Sequence, residues 1–165
     1  MDGRIIRDSS RCDIIFVGIK FQSLNIKFSL KNKTILTKWI TTVLQKEKKT
    51  VGDINYIFCN DDYLHALNKK YLRHDTLTDI LTFDLSGGLE TAQPEFPGAQ
   101  PITGDIFISI PRVMENAKKY STPFDKELSR VMIHGILHLG GYLDKTKREK
   151  EKMRRKENEY LKLRN

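Results

Sequence analysis

The spacing of apolar and polar residues along the chain predicts alternating strands and helices. Short apolar runs are typical of strands, and they occur at residues 12–19, 53–59, 79–83 and 105–110, with a further extended piece near 25–28. Apolar residues at helical spacing, often after a capping Asn or next to a proline, predict helices over about 32–48, 60–72, 111–120, 123–139 and 146–162. We therefore expect one α+β domain over residues 1–165, with a mixed sheet of about four strands packed by helices.

Two segments depart from this regular pattern. Glycines and prolines between Leu85 and Thr103 predict a long loop, and loops of this length are either functional flaps or disordered insertions. The last helix, over about 146–162, is heavily charged. It is suited either to contacting RNA or to forming an ordinary solvated face that docks on the domain through Met153, Tyr160 and Leu161.

Composition narrows the class of protein. With 39% apolar and 30% charged residues, the chain is expected to be soluble, and no apolar run is long enough to cross a bilayer. Its first residues lack the pattern of a secretory signal. The two cysteines, Cys12 and Cys59, have no partner at metal-ligand spacing, so we expect both to be reduced core residues. These features predict a cytoplasmic protein with no membrane partner.

The net charge of +8 is distributed unevenly. Residues 1–50 carry a net charge of +7 and residues 145–165 carry +6, whereas residues 51–144 carry −5. Basic segments attract the phosphates of nucleic acids. Ordinary solvated lysines would give the same balance, so charge alone does not identify a partner.

The strongest chemical signal lies between residues 131 and 145. His134 and His138 are four residues apart, which places both imidazoles on one face of a helix, where they can bind one ion. Gly140 and Gly141 then predict a helix end and a chain reversal that can bring Asp144 to the same ion. This spacing is that of extended zinc-site motifs, and we predict one Zn²⁺ held by His134, His138 and Asp144.

The surroundings of the two histidines are apolar on nearly every side, which is typical of a buried helix. Two core histidines satisfied by hydrogen bonds, or a purely structural metal site, are the alternatives. Three protein ligands with an open position are, however, the pattern of a catalytic zinc site. In zinc peptidases of this spacing a glutamate follows the first histidine as general base, and this chain has Gly135 there. A substrate such as a phosphodiester is therefore favoured over a peptide.

Three ordered blocks of residues resemble the YbeY family. The metal-site block matches at His134, Gly135, Leu137, His138, Leu139, Gly141 and Tyr142. An upstream block matches at Leu67, Asn68, Tyr71, Asp75, Thr78, Asp79, Leu81 and Phe83, and a middle block at Gly104, Asp105, Ile106, Ile108 and Ser109. Glu127, Met153 and Glu157 also fall where the family has such residues. The similarity extends from about residue 52 to the C-terminus.

The resemblance implies a metal-dependent endoribonuclease that cuts single-stranded RNA during ribosomal RNA maturation, by attack of metal-activated water, with the ribosome or its small subunit as partner. Two positions differ from the family. Asp144 stands where the family has its third histidine ligand. Leu72 stands where the family has an arginine, and Arg73, the next residue, can contact a phosphate in place of that arginine. The alternatives are a non-catalytic, ribosome-associated RNA-binding factor with a structural metal, and a zinc peptidase. No general base and no oligomeric state follow from the sequence.

Overall fold

The computed structural model describes residues 4–7, 14–88 and 101–164. Five strands form one sheet in the order β1-β2-β3-β5-β4. The strands are β1 (Arg4–Arg7), β2 (Ile14–Ser23), β3 (Thr50–Cys59), β4 (Ile80–Asp84) and β5 (Pro101–Ser109). Strands β2, β3 and β5 are parallel neighbours, whereas β1 and β4 pair antiparallel at the two edges. The predicted mixed sheet of about four strands is confirmed, and the short strand β1 adds a fifth.

Five α-helices accompany the sheet in the described part of the chain. They are α1 (Lys33–Lys46), α2 (Asp61–Leu67), α3 (Ile110–Lys119), α4 (Phe124–Leu139) and α5 (Lys147–Leu161). A π-helical turn (Asn68–Leu72) extends α2, and 3₁₀ turns occupy Ser86–Gly88 and Lys162–Arg164. The five predicted helices are therefore confirmed, with boundaries that shift by one or two residues. None of the described helices is both long and apolar enough to cross a membrane.

Three local predictions need correction. The expected extended piece at 25–28 is not a strand, because Leu24 makes the last backbone hydrogen bond to Phe58 and Asn25 then takes a left-handed conformation (φ 57°) that leads the chain away from the sheet. Asn32 does precede α1, but it is also left-handed (φ 56°) and its side chain makes no capping hydrogen bond. The loop predicted up to Thr103 ends earlier, because β5 begins at Pro101, which pairs with Thr50.

Some predictions fall on residues that the structure does not describe. The start of the first predicted strand, including Cys12, lies outside the described residues, and so do residues 89–100 of the predicted loop. Cys59 can be placed, and it is a buried free thiol. Burial, together with the nearby Asp61 carboxylate, raises the pKa of Cys59 to about 12, as expected for an unreactive core cysteine.

Helix α4 lies directly on the sheet, and this contact positions the histidines. Its residues Met132, Ile133 and Ile136 are fully buried, and the Tyr56 hydroxyl of β3 donates a 3.0 Å hydrogen bond to the Met132 carbonyl. Gly135 permits this close approach, since a Cβ there would lie 2.8 Å from Cγ2 of Ile106. The prediction of one buried helix that carries the histidines is confirmed.

Candidate metal centre

His134 and His138 lie on consecutive turns near the end of α4 and point to the same place. Their Nε2 atoms are 2.9 Å apart, and the two rings are nearly perpendicular, at 88°. Each side chain is mostly but not completely buried, so the facing nitrogens remain accessible from one side. The predicted pairing of both imidazoles on one helix face is therefore what the structure contains.

The chain reverses immediately after α4. The amide of Gly141 donates to the His138 carbonyl and the amide of Tyr142 donates to the Leu137 carbonyl at 2.9 Å, which closes the last helical turn. Gly141 has φ of +95°, a conformation that few residues other than glycine adopt. The reversal brings an Oδ2 atom of Asp144 to 3.6 Å from Nε2 of His134 and 3.5 Å from Nε2 of His138.

These three side chains form a donor set that fits a metal ion. One possible ligand atom from each of His134, His138 and Asp144 lies within 4.8 Å of the other two. Two imidazoles and a carboxylate are ordinary zinc ligands, and three of them leave a position open. The geometry therefore brings together the residues predicted as ligands, and it leaves space for a water or a substrate oxygen.

The other nitrogen of each imidazole has its own partner. Nδ1 of His134 lies 2.8 Å from Oε1 of Glu157, and Nδ1 of His138 lies 3.0 Å from the carbonyl oxygen of Tyr142. A carbonyl oxygen can only accept, so Nδ1 of His138 carries the proton and its Nε2 has a free lone pair. The Glu157 carboxylate likewise can only accept, so Nδ1 of His134 carries a proton. Metal-binding histidines are commonly oriented in this way.

The pKa values of the two histidines are shifted in opposite directions. Burial lowers the pKa of His138, and the neighbouring His134 lowers it further, so the ring is neutral at pH 7. Burial also opposes protonation of His134, but the bond to Glu157 and the charges of Glu157, Asp144 and Asp79 outweigh it and raise the pKa. The negative charges around His134 therefore favour a positive charge at this ring, and a bound cation would supply that charge in place of a proton.

A second layer of contacts holds these orienting groups. Arg130 donates from Nη1 to Oε2 of Glu157 at 3.1 Å, so a chain of contacts runs from Arg130 through Glu157 to His134. On the other side, the Tyr142 hydroxyl donates to Oε2 of Glu47 at 2.8 Å, which ties the reversal to α1. The Tyr160 hydroxyl donates to the same Glu47 carboxylate.

Sequence reasoning did not find these supporting roles. Glu157 was singled out only by the family resemblance, and Glu47 by nothing. Glu157 lies on α5, 23 residues after His134, so no spacing rule connects the two. One signal in the sequence could have indicated Glu157. Its helical spacing places this carboxylate on the same face of α5 as the apolar residues Met153 and Tyr160, and all three are buried.

The structure does not bring Arg73 to this centre through any described contact. Arg73 ends the π-helical turn in a left-handed conformation (φ 56°) and its side chain is exposed. Among the described residues, no hydrogen bond or ion pair joins it to the three candidate ligands. Its role as a phosphate contact stays a prediction.

A mixed α+β fold with two histidines on a buried helix and a carboxylate returned by a glycine turn defines a candidate metal-dependent hydrolase. Comparison with known proteins makes the class specific. The family model of endoribonuclease YbeY matches residues 19–165. The chain belongs to the endoribonuclease YbeY family.

Individual relatives agree with this assignment. The chain is 48% identical over 135 residues to endoribonuclease YbeY of Flavobacterium johnsoniae, covering 82% of this chain and 89% of that protein. It is 39% identical over 148 residues to the Bacteroides fragilis protein of the same name, covering 90% and 99%. It is also similar to the solution structure of TM1509 from Thermotoga maritima, with a TM-score of 0.55 and 27% identity over 88% of each chain.

Membership of the family confirms that the protein is an enzyme, a hydrolase that acts on RNA. It supports an endoribonuclease role in ribosomal RNA processing, as the resemblance implied. Neither alternative, a zinc peptidase or a non-catalytic RNA-binding factor, is supported by these comparisons.

Proposed function

We propose that this protein is a zinc-dependent endoribonuclease that cuts single-stranded ribosomal RNA in the cytoplasm, with the small ribosomal subunit as its partner. In this proposal His134, His138 and Asp144 hold one Zn²⁺. The observation that carries the proposal is the convergence of their three ligand atoms within 4.8 Å, in a chain of the endoribonuclease YbeY family.

The nature of the donor set supports zinc and a catalytic role. Two neutral imidazoles and one carboxylate suit Zn²⁺, and structural zinc sites are usually closed by a fourth protein ligand. When bound there, zinc would supply a Lewis acid that acidifies a water molecule and polarises the phosphodiester. The choice of RNA over peptide also agrees with Gly135, which packs against Ile106 where the peptidases of this spacing have their general base.

The surrounding residues orient the ligands. Glu157 holds Nδ1 of His134 and the Tyr142 carbonyl holds Nδ1 of His138, so both Nε2 lone pairs stay directed at the same point. Asp144, whose side chain is 41% exposed, lies on the side from which solvent and substrate approach. Arg73 is proposed to contact a phosphate from the exposed end of the π-helical turn, because a guanidinium matches phosphate geometry.

The proposal is tested by measuring bound metal and cleavage together. The purified protein is analysed for zinc, then assayed on single-stranded RNA, double-stranded RNA and casein, with and without chelator. We expect stoichiometric zinc and chelator-sensitive cleavage of single-stranded RNA alone. His134→Ala should lose both, whereas His74→Ala, which changes an exposed histidine, should keep both.

Two results would contradict the proposal. Cleavage of RNA that persists after the metal has been removed would exclude the metal mechanism. Stoichiometric zinc in the His134→Ala protein would place the ion elsewhere.

A further inference from the structure

A cavity of about 520 Å³ opens beside the candidate metal centre. His134 and Glu157 form the wall that it shares with the centre, and Glu127, Arg130 and Tyr120 lie further along it. The volume is within the range of sites that bind small molecules. The metal centre accounts for only one edge of this cavity.

Glu127 is the unusual group in the cavity. Its side chain is only 7% exposed, and its nearest cation, Nε of Arg130, is 3.8 Å from Oε2, which is beyond hydrogen-bond distance. In the part of the chain that the structure describes, no hydrogen bond reaches this carboxylate. Burial, together with the charges of Asp79 and Glu157, raises the pKa of Glu127 although Arg130 opposes the shift. Glu127 lines the cavity and can accept hydrogen bonds from the N–H groups of a ligand that enters it.

The other carboxylates of the cavity already have donors. Asp79 accepts a 3.1 Å hydrogen bond from Nδ2 of Asn116, and Glu157 accepts from Arg130 and contacts His134. Glu127 is therefore the acceptor left for a ligand.

The position of Glu127 relative to the centre suits a nucleotide. Glu127 and His134 are seven residues apart on α4, so they lie on one face, two turns or about 10 Å apart along the axis. At that distance Glu127 does not touch a group that reacts at the metal ligands. A nucleotide whose phosphate lies at the centre extends its base along α4 by a comparable length.

The outer side of the cavity has features that nucleic acids use. Arg154 of α5 lines both this cavity and a neighbouring one, whose other lining residues, Lys147, Lys150 and Glu151, leave that neighbouring surface net basic. Tyr120, which is 59% exposed, offers an aromatic ring at the edge of the cavity. Bases of single-stranded RNA commonly stack on such rings.

We propose that this cavity binds one nucleotide of the RNA substrate and that Glu127 selects guanine by accepting hydrogen bonds from its N1–H and N2–H groups. The two adjacent donors of guanine match the two oxygens of a carboxylate. Uracil offers one N–H between two carbonyl oxygens, which the carboxylate repels. This inference rests on the proposed function, because it treats the centre at His134 as the site of RNA cleavage.

The first test measures binding of mononucleotides to the full chain by NMR titration. Guanosine 5′-monophosphate should bind about 10-fold more tightly than uridine 5′-monophosphate, as expected for one paired base edge. Inosine 5′-monophosphate lacks the N2 amino group and should bind more weakly than the guanosine nucleotide. Because this comparison uses the unaltered protein, it remains decisive even if a variant fails to fold. Equal affinities for all three nucleotides would overturn the inference.

The second test assigns the preference to Glu127. Glu127→Gln should abolish the preference for guanosine over uridine, whereas Glu115→Gln, a matched change of an exposed carboxylate on α3, should leave it unchanged. Tyr120→Ala should weaken both nucleotides about 10-fold without changing their ratio, because stacking is insensitive to base identity. A preference that survives in folded Glu127→Gln protein would refute the role of Glu127.

A cleavage assay separates this inference from the proposed function. Wild-type protein is given a short oligouridylate that carries one guanosine at varied positions. We expect the cut to move with the guanosine at a constant spacing. Cleavage that ignores guanosine would refute the inference and leave the proposed function intact. A guanosine preference in binding without any cleavage would support the cavity and contradict the proposed function.

Discussion

The candidate metal centre has two halves that are built differently. The helix half consists of His134 and His138, which lie on α4 against the sheet. The Nδ1 atom of each is hydrogen-bonded, to Glu157 and to the Tyr142 carbonyl respectively. The segment half is Asp144, which lies on an exposed reversal and for which no partner other than the two imidazoles is found among the described residues. The helix half is thus held by its surroundings, whereas the position of Asp144 depends on the reversal.

This difference suggests how the family position of the third ligand can vary. The two histidines are constrained by packing and by the hydrogen bonds of their Nδ1 atoms, so another residue in either place would have to satisfy both constraints. As a ligand, Asp144 would only have to approach a bound ion from the solvent side. A carboxylate in place of the family's imidazole therefore requires no change in the packing of the domain.

The largest effect is expected from the group that orients the helix half. Glu157→Gln should lower zinc affinity by about 100-fold, because a glutamine can present its NH₂ group to His134 and no longer enforces the tautomer. Competition with a chromophoric zinc chelator measures this change. Glu159→Gln, an exposed neighbour on α5, is the control and should be neutral. A Glu157→Gln protein with wild-type affinity would show that the helix half needs no orienting carboxylate.

The contact between α4 and the sheet should matter next. A Cβ at position 104 would lie 2.5 Å from the Phe83 carbonyl oxygen and 2.9 Å from a methyl group of Leu139, the residue after His138. Gly104→Ala should therefore lower the free energy of unfolding by about 2 kcal/mol, measured by urea denaturation.

Gly87→Ala is the matched change for this prediction, since a Cβ at position 87 would meet nothing within 4 Å. We expect its denaturation midpoint to equal that of the wild type. Equal stability of the two alanine variants would mean that α4 can move away from the sheet without loss.

A smaller effect is expected for the segment half. Asp144→Ala should weaken zinc binding by about 10-fold, no more than the loss of a residue that only orients a ligand, because water can replace an exposed oxygen ligand. Asp144→His should restore the affinity, since an imidazole is also an ordinary zinc ligand. If instead Asp144→Ala loses zinc as completely as His134→Ala does, the two halves are equally essential.

The smallest effect concerns the anchor of the reversal. Burial alone raises the pKa of Glu47, but the hydrogen bonds from Tyr160 and Tyr142 and the ammonium of Lys156 lower it below 4.5 overall. Its stabilising contribution is therefore present above about pH 4.5 and is lost as the pH falls through the lowered pKa. Glu47→Gln should reduce the melting temperature by about 2–4 °C at neutral pH.

The pH dependence provides the check on that prediction. Thermal melts followed by circular dichroism should show the difference between wild type and Glu47→Gln shrinking as the pH falls through the lowered pKa of Glu47, where its carboxyl group becomes neutral. Glu151→Gln, which changes an exposed residue of α5, should have the melting temperature of the wild type at both neutral and acidic pH. A difference that is constant with pH would show that the charge of Glu47 is not what anchors the reversal.

Much of the fold could be predicted because its signals are local. The helical spacing of α4 and the apolar runs of β3 and β5 depend on neighbouring residues, and the structure has these elements within a few residues of the predicted bounds. The errors arose where tertiary contacts override local preference. At residues 25–28 an apolar piece leaves the sheet after Leu24, and at 101–103 a segment with loop composition pairs with β3.

For the centre, the sequence by itself determined the two histidines and the reversal that presents Asp144, because all three depend on spacing within 11 residues of one helix and turn. Only the tertiary structure decided what surrounds them. Glu157 contacts His134 from α5, and Glu47, the residue after α1, contacts Tyr142 of the reversal. Glu127 lines the cavity from two turns earlier on α4. The roles of these carboxylates depend on which elements pack together, which no local spacing specifies.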